Sequence, residues 1–277
     1  MTLDGKDMSA PVAVEQHYST GLTRANIERA LIGAGKDPAA IEPADLAMLE
    51  DFHTMGRFAT AALADLADVQ PEDSVLDAGT GIGGAARFLA GEIGCRVTAV
   101  DLTAEYCEAA RWLNGCVRLD GMIDVRQADV LDLPFENASF DVVVSQHVQM
   151  NIADKRGLYR EARRVLATGG RLALWDTIAG PNQPIRLPVP WAVEPELSHL
   201  VTADELRSIT ATAGFDVRAW NDLTETAIPA MDALLAAPPS PLGLQVFVPD
   251  LPVKAANLTE NLRENRTRLV QAVLVAR

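Results

Sequence analysis

A chain of 277 residues with 48% hydrophobic and 22% charged side chains can bury a sizeable core, which excludes disorder as the default. Its 24 Lys and Arg against 38 Asp and Glu give a net charge of −14; this argues against nucleic acid or an anionic membrane as partner and favours a small neutral, zwitterionic or cationic ligand. There is no apolar run of about 18 residues, and the start MTLDGKDMSAPVAVEQ lacks the basic and apolar parts of a secretory signal, so the expected compartment is the cytoplasm. Residues 1–12 mix Gly, Ser, Pro and charges without an apolar period and read as a flexible tail. Residues 13–69 read as a helical cap: Ile27, Leu31 and Ile32 are assigned to one face, and Leu46, Leu49, Phe52, Phe58, Leu63 and Leu66 recur near a 3.6 period, with turns at Pro38 and Pro43.

Residues 70–277 read as one α/β domain. Strands are expected at 74–78, 96–100, 123–127, 139–145 and 170–176, with helices at 84–92, 103–116 and 154–166 between them, the pattern of a parallel sheet covered on both faces. Thr103 is expected to cap its helix, and Gly169 and Gly170 to end the 154–166 helix. A Pro-rich stretch near 177–200 is too punctuated for a plain connector and is expected to line a substrate site. Thr202 with Glu205 spells a capping box for a helix over 202–213. Strands at 215–220 and 268–275 complete the sheet, and 225–262 is expected to form a second lid-like insertion. Cys95, Cys107 and Cys116 have neither metal-ligand nor CxxC spacing and read as buried thiols, with no metal site.

The chemistry concentrates in VLDAGTGIGG, residues 75–84, where a strand gives way to a helix. Gly79, Gly81 and Gly84 fit the dinucleotide pattern GxGxxG, which alone suits a nicotinamide or flavin nucleotide equally well. Asp77 separates the readings. A carboxylate at the mouth of a helix N-terminus occupies the field that would attract a pyrophosphate. It suits S-adenosylmethionine, which carries no phosphate and presents an ammonium and a sulfonium. Thr80 lies within the same turn. Asp101 ends the next strand 22 residues after Gly79 and is placed to accept both ribose hydroxyls, with Leu102 against the adenine. Asp129, after the third strand, is placed for the adenine amino group, and the backbone of Val130 for a ring nitrogen. Each Asp taken singly also reads as an ordinary helix cap.

These segments resemble the class I S-adenosylmethionine-dependent methyltransferases over about residues 70–222: VLDAGTGIGG looks like their first motif, VTAVDLT like the acidic strand, and SFDVVVSQHVQMNI and LYREARRVLATGGRLALWD like their later signatures. The resemblance implies a Rossmann-like sheet of seven strands in order 3-2-1-4-5-7-6 with the last antiparallel. A narrower likeness to the group around sarcosine and dimethylglycine N-methyltransferases, which also includes natural-product enzymes, rests on DPAAIEPADLAMLEDFHTMGRFAT, QHVQMNIADKRGLYREARRVL, IAGPNQPIRLPVPWA and NLTENLRENRTRLVQAV. It implies that Gln146 or His147 holds the methionine end of the cofactor and that Tyr18 closes over it.

The implied reaction moves a methyl group from S-adenosylmethionine, leaving S-adenosylhomocysteine, to a small-molecule acceptor: an amine or amino acid nitrogen, or an oxygen or carbon of a natural product. His147 is the candidate base for a hydroxyl acceptor. His147, Met150, Asn151 and Trp191 are the candidate substrate contacts, Trp191 as a face for a methylammonium and otherwise as plain hydrophobic cover. His53 is expected near the pocket and His199 on a surface turn. Arg57 and Arg186 are candidates to clamp an acceptor carboxylate. A homodimer is left open as the assembly. Two rival readings remain: a catalytically silent S-adenosylmethionine-binding protein and a nicotinamide-dependent oxidoreductase.

Overall fold

The computed structural model describes residues 10–50 and 52–277. Of the expected tail, residues 1–9 lie outside the described residues, and helix α1 (Ala10–Tyr18) already runs through 10–12. The expected sheet order is observed: β1 (Ser74–Ala78), β2 (Arg96–Asp101), β3 (Ile123–Gln127), β4 (Phe140–Gln146), β5 (Leu166–Ala179), β6 (Phe215–Asp222) and β7 (Thr267–Ala276) lie in the order 3-2-1-4-5-7-6. Strands β1 to β5 run parallel to one another, and β7 runs antiparallel between β5 and β6.

Side chains alternate across the sheet, so β4 sends Val142 and Val144 to one apolar layer and Phe140 and Val143 to the other. Both layers are closed by helices, which explains why the central strands read as nearly continuous Val and Leu. Helix α7 (Lys155–Val165) ends differently from expectation: Leu166 is already extended, and β5 carries LATGG as its first five residues. Gly169, at φ +78°, therefore serves an irregular strand start, and a Cβ on Gly170 would stand 2.8 Å from the Ala167 carbonyl oxygen.

The cap comprises α1, α2 (Thr23–Gly33), α3 (Pro43–Glu50) and α4 (Gly56–Ala67). Ile27, Leu31, Leu46 and Leu49 are buried in a cluster with Ile82 and Leu113 of the α/β body. Ile32 and Phe58, assigned inward by period, are 61% and 63% exposed, because adjacent Leu31 and Ala59 take the core positions. A buried ion network ties the cap to the glycine turn. Arg87, in α5 (Gly84–Phe88), donates to Glu50 at 2.8 Å, to Asn114 at 2.9 Å and to the Ile82 carbonyl at 2.8 Å, and Arg57 pairs with the same Glu50. Breaking such a network would strand a buried charge, at a cost of about 3–5 kcal/mol.

A second tie is Glu105, in the first turn of α6 (Ala104–Cys116). It accepts the Ser19 hydroxyl and the Gly21 N–H at 2.7 Å each, and also the Thr23 N–H at the start of α2. Partial burial raises its pKa, but the hydrogen bonds from Thr23, Ser19 and Gly21 outweigh this and hold it down at about 2. A carboxyl depressed by folding contributes stability above its unfolded value, and that contribution disappears as pH falls through the folded one. Glu105→Gln is therefore expected to melt below wild type at pH 7, with the gap closing from about pH 4.5 towards pH 2. Thermal melts across that range check this; a gap independent of pH would contradict it.

Cys95 and Cys107 are buried free thiols, whereas Cys116 is only partly covered. No helix among the described residues is long and apolar enough to cross a membrane.

Candidate active site

The carboxyl ends of β1 to β4 open into one cleft, whose free space, open solvent included, is about 1080 Å³. Parallel sheets place ligands at this edge, where loops diverge on either side of the first strand.

At the end of β1 the backbone must reverse within a few residues. Gly79, Gly81 and Gly83 take φ values of +87°, +56° and +92°, a region costly for other residues. The N–H groups of Gly79 and Thr80 both donate to the Val100 carbonyl at 2.9 Å, which locks the turn against β2. A Cβ on Gly79 would stand 2.3 Å from Val148 Cγ2, so the contact with Val148 already requires glycine here. A Cβ on Gly81 meets nothing within 4 Å and would project into open cavity.

Asp77 is 2% exposed and accepts the Thr80 hydroxyl at 2.6 Å. The Ala86 backbone, in the first turn of α5, also favours its ionised form, so the carboxylate stands where that helix end attracts an anion. Burial, with Asp101 nearby, pushes it up to about 6 against the Thr80 hydrogen bond, so it is mostly ionised at neutral pH. Asp101 accepts the Gly81 N–H at 2.8 Å on one oxygen and the Thr103 N–H at 2.9 Å on the other, and each oxygen retains a second lone pair. Thr103 occupies the N-cap position of α6, but its side chain does not bond the helix. Leu102, Asp129 and Val130 line the same end, where Asp129 accepts the Leu131 N–H at 2.9 Å.

On the other side of β1, the turn after β4 carries Gln146 to Asn151. Asp176, fully buried in β5, accepts the N–H groups of Val148 and Gln149 at 3.2 and 3.1 Å and so fixes this turn from below. His147 sits at φ +53°, a strained position for a residue with a side chain, and its N–H donates to the Trp175 carbonyl at 2.8 Å. Its Nε2 lies 3.2 Å from the Thr54 hydroxyl, and its ring centroid lies 6.4 Å from that of His53. Burial lowers His147 to about 3, helped by His53, and lowers His53 to about 4, so both rings are neutral at pH 7. That weakens His147 as a base and suits it to hydrogen bonding. Gln146 accepts the Thr60 hydroxyl at 3.3 Å, while its buried Nε2 has no partner among the described residues.

Asn151 joins three segments. It accepts the Tyr18 hydroxyl at 2.8 Å and donates to the carbonyls of Trp191 and Leu197 at 2.8 and 3.0 Å. Met150 is buried beside it. Trp191 touches the cavity but is otherwise enclosed, and its indole N–H donates to Ser198 at 3.0 Å. Tyr18, Phe52, Tyr106 and Phe247 close the cavity as an edge-to-face and tilted aromatic set with centroids 5.9 to 6.3 Å apart.

The residues singled out for the cofactor, and His147, Met150, Asn151 and Trp191 for the acceptor, therefore line one cavity, whereas the two candidate arginines do not. Phe52, Tyr106 and Phe247 were not assigned to it from sequence. Tyr106, one turn from Asp101, had a local signal; Phe247 had none. Arg186 lies away from the cavity, exposed and paired with Glu264, and Arg57 is turned to Glu50. His199 is half-buried and not on an open turn, with its N–H donating to Met150 at 2.7 Å. Among the described residues no group of three or more His, Cys, Asp or Glu could hold a metal ion.

Comparison with known proteins agrees with the fold. Residues 76–174 match the family model of a methyltransferase domain. The chain is 32% identical over 154 residues to the sarcosine/dimethylglycine N-methyltransferase of Halorhodospira halochloris, covering 56% of this chain and 55% of that protein. It is 29% identical over 211 residues to methyltransferase GfsG of Streptomyces halstedii, covering 74% and 72%. The chain spans about half the length of the Halorhodospira relative. Among solved structures, the geranyl diphosphate C-methyltransferase of Streptomyces coelicolor A3(2) superposes with a TM-score of 0.72 at 19% identity, over 99% of this chain and all of that one.

Proposed function

We propose that this chain, whose residues 76–174 are a methyltransferase domain, transfers a methyl group from S-adenosylmethionine to a small-molecule acceptor. The carrying observation is Asp77: its carboxylate stands at the helix end that a dinucleotide's pyrophosphate would need, inside a glycine turn that opens onto Asp101. The residues present fit the donor. Asp101 has lone pairs left for ribose hydroxyls, Asp129 and Val130 face the adenine end, and the unpartnered Gln146 amide faces the methionine end.

Bound S-adenosylmethionine supplies a methyl group on sulfonium, an already activated leaving group. The protein's own task is alignment and exclusion of water. The Asp176-held turn fixes Gln146 and His147, the neutral His147 orients the acceptor, and the aromatic set shields the cavity. The helices up to Ala67 act as a cap, and segments 177–200 and 225–262, which bring Trp191 and Phe247 to the cavity, act as lids. The strongly acidic chain works in the cytoplasm, without nucleic acid, as a monomer or homodimer.

Incubation with methyl-labelled S-adenosylmethionine and a metabolite extract tests this. Label is expected in a small molecule in amounts well above the enzyme. Binding of donor without any transfer would support the silent-binder reading instead.

A further inference from the structure

The sheet order separates the two ends of the cavity. Asp129 follows β3 and His147 follows β4, three strand spacings or roughly 14 Å apart across the sheet edge. Asp77, Asp101 and Asp129 belong to the β1–β3 side. The β4 end, left for an acceptor, is walled by Met150, Ile152, Pro190 and Trp191, with the half-buried imidazoles of His53 and His147 facing each other.

Charge is withheld from this end. Among the described residues lining the cavity none is Lys or Arg. Glu50, the one acid lining it from the cap, is held by Arg87 and Arg57. Lys155, beneath the turn, directs its ammonium to the carbonyls of Ile152 and His199. Lys254 touches only a small outer hollow, beyond the aromatic wall of Tyr18, Tyr106 and Phe247. The Nε2 atoms of both rings are taken up by threonine hydroxyls, at 3.2 Å each. A carboxylate, phosphate or ammonium placed beside the histidines would lose its water and find no counter-ion that is not already engaged, the costliest kind of burial. A neutral group loses far less, and an apolar skeleton gains by leaving water.

We propose that the acceptor is an uncharged, largely apolar molecule, seated between the Pro190–Trp191 turn and the β4 turn, with any polar group it carries neutral. This rests on the donor reading of the cleft. It departs from the amino-acid and diphosphate acceptors that the names of the compared proteins carry.

The test is affinity selection on the full chain, saturated with S-adenosylhomocysteine, from two equimolar triads that differ only in charge: 1-octanol, octanoate and octylammonium, and 4-methylphenol, 4-methylbenzoate and 4-methylbenzylammonium. Retained compounds are counted by mass spectrometry. The neutral members are expected to be retained at least ten-fold over both ions. Preference for either ion, equal retention, or no retention by a chain that holds S-adenosylhomocysteine would overturn the proposal. A chain that fails to bind S-adenosylhomocysteine would overturn the donor reading itself.

Discussion

Replacing Gly81 by valine is expected to weaken S-adenosylmethionine binding at least a hundred-fold in a protein that still folds. The position combines a left-handed backbone with empty space where a side chain would point. The left-handed backbone contributes about 1–2 kcal/mol of strain for alanine and more for β-branched valine. Beyond the two neighbouring residues, no protein atom stands within 4 Å of a Cβ at this position, so the first atom of a side chain meets no packed neighbour there. Gly81→Ala carries both the lesser strain and the lesser bulk. Calorimetry should rank wild type above alanine above valine, measured at a temperature where both variants are folded. Valine binding as tightly as wild type would remove the turn from the site. Gly79 is the poorer probe, because its substitution drives a side chain into Val148 and disturbs the fold directly.

Asp101→Ala is expected to cost one to a few kcal/mol of donor affinity, about ten- to a hundred-fold, the loss of hydrogen bonds to a charged acceptor. Two backbone N–H groups, of Gly81 and Thr103, lose their acceptor in the same variant. Asp101→Asn removes the charge but keeps one amide oxygen, which can still accept from one of the two. Binding by both variants should fall, with Asn the milder. Unchanged affinity in a folded Asp101→Ala protein would show that this carboxylate does not hold the ribose.

The site was legible where its signal is local. Asp77, Asp101 and Asp129 each stand near the end of a strand, and the glycine turn marks the first crossover. The strands at 74–78 and 123–127 fall where the residues place them, the first as SVLDA running up to the glycines and the second as the buried and exposed alternation that opens IDVRQ. Contacts set by distant parts of the chain were not legible. Phe247 meets Phe52 and Tyr106 from nearly 200 and 140 residues away, and no periodicity in 225–262 announces that meeting. Likewise Gly169 and Gly170 carry the same local code for a helix stop or an irregular strand, and only pairing with β4 decides. The outward turn of Ile32 and Phe58 has a similar origin: a helical period selects a stripe, and packing against the body selects which of two adjacent residues is buried.

Titration of the wild-type chain with S-adenosylmethionine and separately with NAD, repeated from pH 5 to pH 7.5, bears most directly on the role of Asp77. Its carboxyl titrates near 6, and a cationic ligand favours the ionised form. Affinity for S-adenosylmethionine should therefore rise with pH through that range, with NAD bound far more weakly throughout. Tight binding of NAD, strengthening as Asp77 is protonated at lower pH, would contradict the account.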